Sequence, residues 1–259
     1  MRIALGIEYD GSAYYGWQRQ AQGMTVQGRV EAALSRVADH PVSVVCAGRT
    51  DTGVHAMAQV VHFDTDARRT DGNWVRGANA NLPHDVRVQW SAHVDEHFHA
   101  RFSARRRSYR YIIQNRPVAS AILRQRVCHE IRPLDHARMQ AAACALVGEH
   151  DFTSFRAAGC QAKSPRREIY RLDVTRSGDC VYFDVEANAF LHHMVRCIAG
   201  VLLAIGRGEQ PIDWTGELLQ ARDRMQSGVN APPGGLYLVS VVYDPAWRLP
   251  AEPRLPVFG

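Results

Sequence analysis

The segment Gly48-Arg49-Thr50-Asp51-Thr52-Gly53-Val54-His55 places one carboxylate in a tight turn between two strand-like runs, Val42 to Cys46 and Ala58 to Phe63. Gly48 and Gly53 supply the backbone angles that such a turn needs. A carboxylate presented in this way can act as a nucleophile toward an electron-poor carbon. Arg49 and Thr50 beside it are a cation and a hydroxyl of the kind that keep an acid ionised and oriented. Taken alone, an Asp-Thr-Gly tripeptide is more often a capped turn whose Asp bonds its own backbone. Both readings stand at this point.

Two further stretches carry chemistry. Phe98-His-Ala-Arg101-Phe-Ser-Ala-Arg105-Arg106-Arg107-Ser-Tyr109-Arg110-Tyr111 is the densest basic stretch and is interleaved with aromatic residues. On an extended strand Tyr109 and Tyr111 share one face, with Ser108 and Arg110 on the other. Arginines that track phosphates beside a ring able to stack on a base are a common way to hold RNA. A solvated basic strand edge has the same composition. The other stretch is Phe190-Leu-His-His-Met194-Val-Arg196-Cys-Ile-Ala-Gly200-Val-Leu-Leu-Ala-Ile, with Met194, Ile198, Val201, Leu202 and Ile205 on one helical face. Arg196 falls opposite them, on a helix apolar nearly all round. A buried arginine there demands an anion, either in a structural salt bridge or in the catalytic carboxylate.

Hydropathy patterning gives the elements that must position these groups. Arg2 to Asp10 alternates as a half-buried strand, and Thr25 caps a helix running to Ala38. Helical spacing predicts further helices over Asn73–Asn81, Asp135–Val147 (Asp N-cap), Ala189–Ile205 and Trp214–Arg224. Strands are expected at Val86–Val94, Ser108–Gln114 and Leu236–Tyr243, with a hairpin of Ile169–Thr175 and Val181–Glu186 around Ser177-Gly178-Asp179. Each half reads roughly β-α-β-β-α-β. The expected fold is therefore α+β: two ferredoxin-like (split βαβ) halves sharing a central mixed, mainly antiparallel sheet with helices packed on it. The expected division is 1–104, carrying the Asp51 loop, then 105–245, then a proline-rich tail over 246–259, extended or loosely attached.

With 259 residues, 46% hydrophobic and 22% charged, the chain has the balance of a folded globular protein rather than a disordered one. Its formal charge of +5 permits a polyanionic partner without requiring one. Lys163 is the sole lysine, a bias that base composition explains, although arginine also suits phosphate forks. None of Cys46, Cys128, Cys144, Cys160, Cys180 and Cys197 sits at disulfide-framework or zinc spacing. On a helix His192 and His193 would diverge by about 100° and chelate poorly. The sequence opens directly on a strand pattern, and the apolar run Phe190–Ile205 is broken by His192, His193 and Arg196. A cytoplasmic location is expected.

The blocks Gly48-Arg-Thr-Asp-Thr-Gly-Val-His-Ala, Phe98-His-Ala-Arg-Phe-Ser-Ala, Tyr109-Arg-Tyr, Phe190-Leu-His-His-Met-Val-Arg and Ala231-Pro-Pro-Gly-Gly-Leu-Tyr-Leu resemble the signature blocks of the TruA family of tRNA pseudouridine synthases. The opening Tyr9-Asp-Gly-Ser-Ala-Tyr-Tyr-Gly-Trp-Gln is similar to that family's N-terminal block, and the order is kept from residue 3 to about 243. The resemblance implies isomerisation of uridine to pseudouridine in the tRNA anticodon stem-loop, at positions 38, 39 and 40. It implies Asp51 as nucleophile, Tyr109 stacking on the target base, Arg196 paired with Asp51, and Arg49 helping to hold the flipped nucleotide. Arg101 and Arg110 join Arg49 and Tyr109 as expected tRNA contacts. It further implies a homodimer with no cofactor and no metal. Ser108 and Cys197 depart from the family pattern beside its motifs, and the tail from Pro245 goes beyond the family core.

Two other functions fit parts of the sequence. Asp-Thr-Gly also occurs in aspartic proteases, but a carboxylate dyad sharing one proton would be disturbed by Arg49. A non-catalytic RNA-binding module would not need Asp51, Tyr109 and Arg196 together.

Overall fold

Alternation over Ile3, Leu5, Ile7 and Tyr9 produces β1 (Arg2–Tyr9), with Ile3, Leu5 and Ile7 fully buried. It opens the first of two compact units in a computed structural model that describes residues 1–228, 230–250 and 255–258. That unit comprises Met1–Arg107 with Tyr237–Leu255, and the second comprises Ser108–Leu236 with Pro256–Gly259.

In the first unit β1 is followed by α1 (Val26–Ala38), β2 (Val45–Cys46), β3 (His55–Asp64), α2 (Asp71–Asn81) and β4 (Val86–Val94). Thr25 caps α1 by accepting from the Gly28 N–H at 3.3 Å. β1 pairs antiparallel with β3 on one side and β4 on the other. The α1 helix packs on α2, and α2 on β4, while Trp74 of α2 meets Phe63 of β3 edge-on at 5.1 Å. Burial of each large apolar side chain in this layer contributes roughly 1.5–3 kcal/mol against exposure.

The strand expected over Val42–Cys46 shrinks to Val45–Cys46. The reason is competition for its backbone: the Val42 N–H donates to Ser35 Oγ (2.9 Å) and the Val44 N–H to Glu31 Oε1 (3.1 Å), both on α1. Those donors are thereby lost to a sheet ladder.

The second unit carries β5 (Arg106–Asn115), β6 (Cys128–Glu130), α3 (His136–Ala143), β7 (Gly148–Asp151), β8 (Arg166–Ser177), β9 (Cys180–Ala187), α4 (Met194–Gly206) and α5 (Trp214–Ala221). Asp135 caps α3 as expected, through the Arg138 N–H at 3.0 Å. The hairpin of β8 and β9 closes over Gly178-Asp179, with Ser177 opposite Cys180 and Gly178 at φ 51°. Two short strands escaped the sequence pattern: β6 is three residues long, and β7 is the polar run Gly-Glu-His-Asp. The helix expected from Ala189 begins only at Met194. His193 takes a left-handed conformation (φ 63°), which no helix can propagate through. The helix from Trp214 ends at Ala221, with Arg222 also left-handed.

The last strand, β10 (Leu236–Val242), lies parallel to β3 in the first unit, with Tyr237 beside His55 and Leu238 beside Ala56. Pairing is mixed and mainly antiparallel: β10–β3 and β6–β5 are parallel, while β1–β3, β1–β4, β2–β3, β7–β8 and β8–β9 are antiparallel. The expected α+β class holds. Described residues of the tail make contacts: Trp247 packs edge-on against Phe98 at 5.3 Å, and the Phe258 N–H donates to the Tyr182 hydroxyl at 3.0 Å. Just before the tail, Asp244 pairs with Arg105.

Candidate active site

The Asp51 turn spans the gap between Cys46 and His55, and it closes through the Val54 N–H donating to the Asp51 carbonyl at 3.1 Å. Its flanks are pinned from several directions. On β3, the fully buried Gln59 amide forks onto Gly48, donating to its carbonyl at 2.6 Å and accepting from its N–H at 3.4 Å. The Tyr9 hydroxyl shares a 2.7 Å hydrogen bond with Thr50 Oγ1, and the Trp17 N–H donates to the Thr50 carbonyl at 3.0 Å. The Ala47 carbonyl accepts from Arg107 through Nε (3.2 Å) and Nη2 (3.0 Å). Gly16, at φ +83°, lies so close that a Cβ there would stand 2.7 Å from the Thr50 carbonyl oxygen. These bonds fix the turn through Ala47, Gly48 and Thr50, on either side of Arg49 and before Asp51. Asp51 is half-buried, Thr50 buried and Arg49 exposed.

The same unit gathers positive charge. Burial pushes the Cys46 thiol up to about 11, while Arg49, Arg101 and Arg107 lie near enough to pull it back down. Arg101 is exposed in the turn Phe98–Ser103, its guanidinium 5.5 Å from the Phe102 ring centre. Two of the expected tRNA-contacting arginines, Arg49 and Arg101, thus face solvent on the unit that carries Asp51.

Tyr109, Arg110 and Arg196 belong to the second unit. Tyr109 on β5 is 8% exposed and meets Phe190 edge-on at 5.0 Å, an arrangement that fixes the ring plane. Arg110 lies on the opposite face of the strand and is buried. It grips Asp184 through two 2.8 Å hydrogen bonds, covers the Tyr182 ring at 4.7 Å and donates to the Pro256 carbonyl at 3.1 Å. Its guanidinium is thus engaged within the protein by Asp184, Tyr182 and Pro256.

Arg196 lies in the first turn of α4 and is half-buried rather than fully buried. Its Nε donates to the Ala231 carbonyl at 3.0 Å, and the Ala231 N–H returns a bond to the Arg196 carbonyl at 2.9 Å. The segment that follows is seated by contacts with the sheet. The Tyr111 hydroxyl donates to the Pro232 carbonyl at 2.8 Å, and a Cβ on Gly235 would lie 2.7 Å from the Ile112 carbonyl oxygen. Two sequence blocks far apart in the chain, at Phe190–Arg196 and Ala231–Leu238, meet here. His192 and His193 precede the helix, with ring centres 4.0 Å apart, so the helical divergence expected of them does not apply.

Of the residues that hold the Asp51 turn, Gln59 and Tyr9 carried no role in the sequence reading. Gln59 did leave a signal, as an amide between the apolar Ala58 and Val60. Tyr9 stood in a recognised block, but its hydroxyl partner Thr50 is 41 positions away.

The sequence profile of the family described as tRNA pseudouridine synthase matches residues 6–103 and 142–244. A curated protein of Coxiella burnetii (strain Dugway 5J108-111) named tRNA pseudouridine synthase A is 58% identical over 257 residues, covering 99% of this chain and 98% of its own length. Its namesake from Shewanella sp. (strain MR-4) is 55% identical over 258 residues, covering 100% and 99%. Among solved structures, a chain of a Cbf5-Nop10-Gar1 complex is similar at 13% identity and a TM-score of 0.36, over 91% of this chain and 48% of that one.

Proposed function

The chain belongs to the tRNA pseudouridine synthase family, a family of isomerases, and from that premise we propose that it acts on uridines of the tRNA anticodon stem-loop, at positions 38, 39 and 40, with Asp51 as nucleophile. The observation that carries the nucleophile is the Asp51 turn itself, a half-buried carboxylate whose flanking backbone is pinned by Gln59, Trp17 and Arg107. A turn held in this way keeps its reactive group in place without reorganisation.

The reaction breaks the N1–C1′ bond and joins C5 to C1′. In one route the Asp51 carboxylate attacks C1′, the freed uracil turns, C5 bonds to C1′ as the carboxylate departs, and the C5 proton is lost. In the other, the carboxylate takes a proton from C2′ as the N1–C1′ bond breaks, giving a glycal; C5 then bonds to C1′ as that proton returns to C2′, and the C5 proton is lost. Either route needs an ionised Asp51, for which Arg196 is the proposed counter-ion. Tyr109 supplies a stacking face for the flipped base, its plane fixed by Phe190. Arg49 holds the displaced nucleotide, and Arg101 meets backbone phosphate. Arg110, engaged with Asp184, is left out of the substrate contacts.

A homodimer acting without a cofactor, in the cytoplasm, completes this reading. Among the described residues no helix is long and apolar enough to cross a membrane.

The test is tritium release from tRNA carrying 5-tritiated uridine. Asp51→Ala is expected to keep tRNA binding and to lose turnover by at least roughly a thousandfold. Undiminished release would end the nucleophile assignment, and pseudouridine mapped only outside positions 38–40 would end the site assignment.

A further inference from the structure

Of the Phe, Tyr and Trp side chains among the described residues, Phe102 is the most exposed, at 76% against 58% for Tyr15. Single exposed apolar residues are ordinary on protein surfaces and need no explanation. This one differs in how it is built. Its ring stacks on the His99 imidazole, with centres 4.3 Å apart and planes 27° from parallel. His99 Nδ1 accepts from the backbone N–H groups of both Arg101 and Phe102 at 3.2 Å, so the imidazole under the ring is held in one orientation. Burial first, and then the charge of Arg2, lower the His99 pKa.

The backbone around it is equally fixed. The His99 N–H donates to Ser103 Oγ (3.0 Å) and the Ser103 N–H to the His99 carbonyl (2.8 Å). The Ala100 N–H donates to His62 Nδ1 (3.1 Å), and the Arg101 carbonyl accepts from Arg107 Nη2 (2.7 Å). The exposed ring is thus presented on a rigid turn, which lowers the ordering cost of any contact it makes.

We propose that Phe102, on its His99 support and beside Arg101, is a stacking shelf for one unpaired base of the RNA substrate, separate from the base that Tyr109 is proposed to receive. The shelf rests on the reading of tRNA as substrate. A protein partner fits it less well, because the exposed Arg101 guanidinium lies 5.5 Å from the ring centre, and charge is depleted at the centre of protein interfaces. A base stacked on an aromatic ring beside a guanidinium has the opposite requirement.

The experiment measures the affinity of a tRNA transcript, its salt dependence, and tritium release for the wild type and for Phe102→Ala, Phe102→Leu, Phe102→Trp and Arg101→Ala. Thermal unfolding of each variant accompanies these measurements. Phe102→Ala and Phe102→Leu are expected to weaken binding by roughly 5- to 100-fold, with the salt slope unchanged. Phe102→Trp, which keeps a π-face, should stay within about threefold of wild type. Arg101→Ala should instead lower the salt slope by about one. Wild-type affinity in both Phe102→Ala and Phe102→Leu, or a loss in Phe102→Trp as large as in Phe102→Ala, overturns the shelf. If the wild type turns over tRNA while the Phe102 variants are unaffected, only the shelf falls. If the wild type neither binds tRNA nor releases tritium, the proposed function falls with it.

Discussion

Asp51 and Arg196 are held in contrasting ways. The turn around Asp51 is pinned by groups from separate stretches of its unit: Tyr9 and Trp17 before it, Gln59 after it, and Arg107 from within the arginine-rich run. Arg196 is positioned with the help of one segment, Asn230 to Gly235, which bonds Arg196 at Ala231, bonds Tyr111 at Pro232 and lies against β5 at Gly235. A distributed brace should fail by degrees, and a single docked segment should fail as a whole.

Replacing Gly235 tests the second half of that contrast and should have the largest effect. A Cβ at Gly235 stands 2.7 Å from the Ile112 carbonyl oxygen and 3.1 Å from the Cys128 nitrogen, atoms that are backbone and have little room to move. Gly235→Ala is expected to cost roughly 1–3 kcal/mol, seen as a fall of several degrees in Tm, and to depress turnover further by displacing the Arg196 anchor. A Gly235→Ala protein with wild-type Tm and turnover would break the comparison.

On the distributed side, Gln59→Leu leaves the Gly48 N–H and carbonyl without their side-chain partners while the other contacts remain. The expected result is a kcat/KM lowered by roughly 10- to 100-fold, with tRNA affinity within about twofold of wild type. Loss of binding in parallel with turnover would mean that Gln59 supports more than the turn. Tyr9→Phe removes a single hydrogen bond to Thr50 and should reduce kcat/KM by no more than about tenfold. A loss larger than that of Gln59→Leu would show that the brace is not shared.

The smallest effect expected is one of pH. His62 is buried on β3 and accepts from the Ala100 N–H, with Arg2, Asp64 and His99 as its charged or titratable neighbours. Burial first, and then Arg2, lower its pKa from 6.5 to about 4. Below about 6.5 the unfolded chain binds the proton more readily than the folded one, so stability contributed by neutral His62 is lost as pH falls toward 4. Urea unfolding midpoints between pH 7 and 4 should therefore fall less steeply in His62→Gln than in the wild type. An identical slope would show that His62 does not carry this dependence.

Much of this arrangement was legible in the sequence where a local pattern decides the outcome. The alternation of β1, the Thr25 cap and the Gly178-Asp179 hairpin all follow from neighbouring residues. What escaped depends on partners distant in the chain. Val42 to Val44 read as strand because nothing local shows Ser35 and Glu31 taking their N–H groups. The start of α4 was set five residues early because His193 looks helical by type and is left-handed in place. The ion pair of Arg110 could not be read either, because its partner Asp184 is 74 positions away. The candidate site divides along the same line. Asp51, Tyr109 and Arg196 stand in dense motifs, whereas Gln59, outside them, gains its interest only from what it touches.

The parallel pairing of β10 with β3 also bears on how the chain is made. Tyr237 reaches His55 only after about 180 further residues have been synthesised, at roughly 5–20 residues per second. For roughly 10 to 40 seconds the nascent first unit has its Asp51 turn and β3 in hand but not the strand that finishes it. Over that interval the end of β3 at His55 and Ala56 offers unpaired backbone to any other strand nearby. The unit encoded first is thus completed only late in synthesis, and its maturation on the ribosome is set by the far end of the message.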